Sequence, residues 1–124
     1  MAVTGWKLDP TQRAQLLERF PPTWPDVIAD HVTLKADACV HEALPVQETA
    51  EIVGIVDDGD GLQALIVSID GSTDRADGST YHITWSLDRS GGREAVQSND
   101  VIAERGWQPV PTPIPIHIEP ARLG

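Results

Sequence analysis

Between residues 30 and 35 the chain reads Asp-His-Val-Thr-Leu-Lys, and between 80 and 87 it reads Thr-Tyr-His-Ile-Thr-Trp-Ser-Leu. Both stretches alternate polar and apolar positions with period two, the signature of a strand seated on a core by one face. Val32 and Leu34 form the apolar side of the first, and Tyr81, Ile83, Trp85 and Leu87 that of the second. A further strand is predicted over residues 3–8. Asp9-Pro10-Thr11 then starts a helix whose apolar positions are Ala14, Leu16, Leu17 and Phe20, and Pro21-Pro22 stops it. Residues 23–30 form a proline-containing approach to the first His-containing strand. Residues 36–49 have no clean period and predict a loop over the sheet. Two β-branched runs, 50–56 and 62–69, flank Asp57-Asp58-Gly59-Asp60-Gly61, a strong hairpin signal.

A polar connection at 71–79 leads into the second His-containing strand, which Ser90-Gly91-Gly92 closes. Residues 97–105 predict a short helix capped by Ser98 or Asn99 and ended by Gly106. The proline-rich tail, 107–120, alternates at Ile114, Ile116 and Ile118 and predicts an added edge strand. The order of elements is that of an α+β domain. A length of 124 residues suits one core, so a single domain over 1–124 is expected.

The polar faces carry the candidate chemistry. His31-Val32-Thr33 recurs as His82-Ile83-Thr84, and in each copy the imidazole and the hydroxyl project to the same side. Imidazole titrates near neutrality and serves as either general acid or general base. A Thr hydroxyl supplies a donor for a phosphoryl oxygen. Two such strands side by side would therefore hold an acid/base pair and two donors around one phosphodiester. The competing reading is that both faces are the solvated side of antiparallel strands.

Each motif is followed by an apolar residue, Leu34 or Trp85, and the second is followed later by Gln97-Ser98-Asn99-Asp100-Val101-Ile102. In these features the chain resembles the two-histidine (2H) phosphoesterase superfamily. Its members include the 2′-5′ RNA ligase-like proteins of bacteria and archaea and the cyclic phosphodiesterase domains of fungal and plant tRNA ligases. In the latter a Ser-Asn pair opens a helix after the second motif. The resemblance spans residues 4–118, with its specificity in the two short motifs, which lie closer together than in many members. It implies a compact bilobal fold, antiparallel sheets lining a central cleft with a few flanking helices, one motif from each lobe. It also implies a phosphodiesterase acting on 2′,3′-cyclic phosphates of nucleotides or short RNA ends. His31 and His82 would be catalytic and Thr33 and Thr84 would hold non-bridging oxygens. His82 would activate water and His31 protonate the leaving ribose oxygen, although pseudo-symmetry allows the reverse.

Lys35 and Ser86 continue the two His/Thr faces and are further substrate-binding candidates, or else solvated strand ends. Trp6, Trp24 and Trp107 are candidates for stacking on a base, with burial as the default for each. His41 is expected at the surface, and His117, between two isoleucines, points outward from its strand. Cys39 is expected to be a small buried hydrophobe. Asp57, Asp58 and Asp60 do not follow the calcium-loop pattern, and no zinc spacing exists, so no metal and no cofactor are expected.

Composition narrows the substrate. Nine Lys and Arg against 19 Asp and Glu give a net charge of −10. A protein gripping a long nucleic acid needs a basic footprint, and this chain lacks one. A mononucleotide, a short RNA bearing a cyclic phosphate end, a cyclic oligonucleotide or an ADP-ribose cyclic phosphate fits better. A non-catalytic nucleotide- or RNA-end-binding module is the other alternative. No apolar run approaches a membrane span. Residues 1–7 lack the pattern of a signal peptide, so a cytoplasmic monomer is expected.

Overall fold

Asp9 accepts the Gln12 N–H at 3.0 Å and Pro10 takes the first helical position, which fixes where the first strand gives way to the first helix. In chain order the elements are β1 (Ala2–Leu8), α1 (Pro10–Arg19), β2 (Asp26–Val27), β3 (His31–Ala38), β4 (Thr49–Asp57), β5 (Leu62–Ser68), β6 (His82–Leu87), α2 (Ser98–Arg105) and β7 (Gln108–Arg122). The computed structural model describes residues 2–123. Met1 and Gly124, the ends of the expected 1–124 domain, lie outside the described residues.

The strands form one antiparallel sheet in the order β2-β6-β5-β4-β7-β1-β3. Its two edge strands, β2 and β3, are separated in sequence only by Ile28, Ala29 and Asp30. So short a link spans roughly 10–14 Å, whereas a flat sheet of this width would measure about 29 Å. The sheet must therefore curl until its edges meet. The seam is visible in the hydrogen bonds. Ile28 and Ala29 donate to the carbonyls of Trp85 and Thr84 on β6 (2.9 and 3.0 Å), while the carbonyl of Asp30 accepts from Leu8 on β1 at 3.0 Å. The chain changes partner at Ala29, which is buried and has φ 44°, a conformation unusual for a residue with a Cβ.

The inside of the curl holds the main core. Trp6, Leu8, Val32, Ile52, Leu65, Val67, Ile83, Trp85, Ile116 and Ile118 meet there, closed by Leu16 of α1 with Leu17 and Phe20 beside it. On the outer face, α2 covers β5: Val101 and Ile102 pack on Ala64, Ile66, Leu62 and Leu87. Covering both faces explains why β5 is apolar almost throughout. A curled antiparallel sheet with two helices is an α+β domain. No helix among the described residues is long and apolar enough to cross a membrane.

Four expectations need correction. The proline-rich tail is not an edge: β7 lies between β4 and β1. Its parity makes this possible. Ile118 N–H donates to Glu48 on the β4 side, whereas His117 N–H donates to the Gln12 side chain on the other. Pro109, Pro111, Pro113 and Pro115 share the parity of His117. Their missing N–H groups thus fall on the side where this half of β7 has no strand partner, and β1 pairs only from Ile118 onward. Secondly, residues 36–38 belong to β3 rather than to the loop. Thirdly, neither Ser98 nor Asn99 caps α2. A 3-10 turn, Ala95–Gln97, leads into it, with Glu94 and Gln97 in reciprocal side-chain to backbone bonds, which leaves Ser98 inside the helix and its hydroxyl available elsewhere. Cys39 is also exposed rather than buried, because it follows the end of β3 in a turn.

Candidate functional site

Register decides which way each motif points. Thr84 and His82 lie opposite Ala64 and Ile66, whose side chains pack under α2, so the second motif faces outward on the α2 side of β6. On β3, Val32 enters the core, and His31 and Thr33 take the opposite, outer side, across from Lys7 and Gly5 of β1. Beyond Ala29 the strands β3 and β6 diverge, each held by a different neighbour. The gap between them is a cleft of about 290 Å³ lined by His31, Thr33, His82, Thr84, Arg75 and Asn99, with Val3, Ala36, Ala95, Val96 and Leu123 as its apolar walls. Both histidines and both threonines of the repeated motif thus share one cavity.

Each imidazole has one nitrogen fixed. His82 Nδ1 lies 2.8 Å from the carbonyl of Thr80 and must donate to it, leaving Nε2 as the lone-pair nitrogen. Burial, with the Arg75 guanidinium nearby, pushes the His82 pKa below its ordinary 6.5 despite that bond. His31 Nδ1 lies 3.0 Å from Asp30 Oδ2, an acceptor that fixes its tautomer in the same sense. Partial burial opposes ionisation of Asp30, but its bonds to Lys7 (3.1 Å) and His31 prevail and leave its carboxyl below the usual value. The two half-buried imidazoles have different surroundings: one lies against a neutral carbonyl, the other beside an anion.

The threonines differ too. Thr84 is 8% exposed, and its Oγ1 lies 2.9 Å from Oγ of the buried Ser98. If Ser98 donates, the Thr84 proton has only a long bond to the Ala95 carbonyl, at 3.5 Å, to set against a ligand in the cleft. Thr33 is half-buried opposite Gly5. A Cβ on Gly5 would come within 2.1 Å of the Val32 carbonyl oxygen, so the approach of β1 to the first motif strand requires glycine there.

Lys35 and Ser86 do not join the cleft, and both leave it for the same reason. The β1–β3 ladder pairs Gly5 with Thr33 but Thr4 with Lys35, and the β5–β6 ladder pairs Ala64 with Thr84 but Gln63 with Ser86. One extra residue, Leu34 or Trp85, is inserted directly after each motif. Such a bulge reverses the facing of everything beyond it. Ser86 consequently turns inward, fully buried, donating to Gln63 Oε1 at 2.7 Å and accepting from Trp24 N–H. Lys35 pairs with Glu42 at 3.0 Å instead, which raises its pKa.

None of the stacking candidates lines the cleft. Trp6 is buried in the core and donates to the Gln47 carbonyl, while half-buried Trp24 donates to Asp57. Trp107 packs over Gly54, where a Cβ would meet its ring at 2.1 Å. Tyr81 stands edge-on to Trp6 at 5.9 Å. His41 and His117 are exposed. Asp58 receives the backbone N–H groups of Asp60 and Leu62 and the Arg93 guanidinium, as a turn residue does.

Sequence reading missed Arg75, Asn99 and Ser98 as side chains of the site. Arg75 sits in the irregular connection before β6, where no periodicity assigns a direction. The Ser-Asn pair was visible at the helix start, but only the packing of α2 on β5 brings it to Thr84. No family model, no curated protein and no solved structure matches the chain.

Proposed function

We propose that the chain is a metal-independent phosphodiesterase that opens 2′,3′-cyclic phosphates of nucleotides or short RNA ends by paired-histidine general acid/base catalysis. The observation that carries this reading is the convergence of both His-x-Thr motifs on one cleft, although β3 is one edge in the strand order and β6 is the second strand from the other. The bilobal plan of the 2H phosphoesterases would then survive in reduced form, as the two parts of the sheet joined through β7.

The two environments suggest the roles. His82, disfavoured as a cation, offers Nε2 to take a proton from water as the water oxygen attacks phosphorus. His31, beside the Asp30 carboxylate that complements an imidazolium, gives a proton to the ribose oxygen as its bond to phosphorus breaks. The product is a ribonucleotide phosphomonoester, and the two histidines exchange protonation states. Thr33 and Thr84 bind the non-bridging oxygens. A net charge of −10 favours a small substrate over a long nucleic acid; the protein would act as a monomer in the cytoplasm. The same acidity keeps another small phosphodiester, such as a cyclic oligonucleotide or an ADP-ribose cyclic phosphate, as the second reading. A binding-only module is the third.

Hydrolysis of 2′,3′-cyclic AMP and of a short RNA with a cyclic end, measured in EDTA, tests the proposal. Wild type turns over, and His31→Ala and His82→Ala each lose roughly 10²–10⁴-fold in kcat. Equal rates for all three proteins would refute it.

A further inference from the structure

We infer that Arg75, clamped by Asp77, is the anion-binding residue of this cleft and contacts the phosphoryl group directly. The inference rests on the cleft being a phosphate site, and it concerns a residue outside both motifs.

Arg75 is only 7% exposed, yet it lines the cavity beside His82 and Thr84. A guanidinium is seldom buried without a purpose or a partner. Its partner is Asp77, which takes Nε at 3.1 Å and Nη2 in a two-pronged bond. Asp77 is itself held by the Ser79 N–H and hydroxyl (2.9 and 2.6 Å). These bonds from Arg75 and Ser79 hold the Asp77 carboxyl far below the usual carboxylate range. The backbone is equally constrained. Arg75 N–H donates to Ser79, its carbonyl accepts from Gly78, and Asp74 pairs with Thr80 just before β6.

The fork occupies one edge of the guanidinium. Both Nη1 hydrogens and the second on Nη2 are left for a ligand, in the planar geometry that matches two phosphoryl oxygens. Every other charged or titratable group lining the cleft is a histidine, so Arg75 is its only permanent cation among the described residues. Its charge also acts on His82, helping to keep that imidazole neutral.

Two readouts separate this inference from the catalytic one. Inorganic phosphate, titrated into the full chain and followed by NMR, requires no turnover. Arg75→Gln should abolish the response of the His82 ring signals, and Arg75→Lys should weaken binding about tenfold, because a point charge replaces the fork. Where turnover exists, Arg75→Lys should lower kcat by roughly 10²-fold. It should also lower kcat/KM, while Ser86→Ala changes neither. Circular dichroism reports whether each variant is folded. If Arg75→Gln does not fold, Arg75→Lys decides. A folded Arg75→Lys with wild-type phosphate affinity would overturn the inference, as would a wild type that does not respond to phosphate. Phosphate binding without hydrolysis would instead leave Arg75 in place and remove the phosphodiesterase reading.

Discussion

At the scale of single residues, two histidines with the same sequence context acquire different chemistry from their neighbours. His82 is half-buried with its Nδ1 on a carbonyl, and desolvation holds its pKa below 6.5. The sign follows directly. Between its folded value and 6.5 the unfolded chain binds a proton that the native state resists, so stability falls as the pH drops through this window. Asp30 and Asp77, both lowered from 3.8, lose their contributions only in much stronger acid. Urea unfolding at pH 7.5 and 5.5 should therefore show a decrease in wild type that His82→Gln largely removes. Ser98→Ala provides a second test. It strips a buried hydroxyl from Thr84 and should cost about 1–3 kcal/mol in the same assay.

At the scale of elements, the motif strands are built to present a histidine and a threonine and then turn away. Each bulges directly after its threonine, which ends the outward face at the motif and sends Lys35 and Ser86 elsewhere. Period-two alternation could identify His31, Thr33, His82 and Thr84, but it could not register an inserted residue, because a bulge is a property of a pair of strands. Gly5→Ala should force β1 from β3 at Thr33 and destabilise by about 1–3 kcal/mol, measured by urea midpoint. In β7 the proline parity makes a sharper contrast. Ile114 faces Ile52 in register with the hydrogen-bonded Glu48–Ile118 pair, so Ile114→Pro should cost about 3 kcal/mol or more. Pro113→Ala, on the open side, should stay within about 0.5 kcal/mol.

At the scale of the whole molecule, curling brings the edges of the sheet together and makes the cleft from the seam. A three-residue step between edge strands cannot exist on a flat sheet, so the His31 strand necessarily arrives beside the His82 strand. If the cleft takes a phosphodiester, a net charge of −10 would select against long polyanions. Association with long RNA should be undetectable by filter binding at 0.15 M salt, where electrostatic attraction is absent from the start.

Taken alone, the sequence determined most of the strands and both helices, the inward and outward positions of the two His-x-Thr segments, and the acidity of the chain. These are set by local periodicity, by Pro and Gly at their turns, and by charge count. Tertiary structure decided the rest: that a strand with four alternate prolines lies inside the sheet, that bulges exclude Lys35 and Ser86, and that Arg75, Asn99 and Ser98 belong to the site. Each of these depends on which strand or helix lies alongside, and pairing between distant segments leaves no period in the chain.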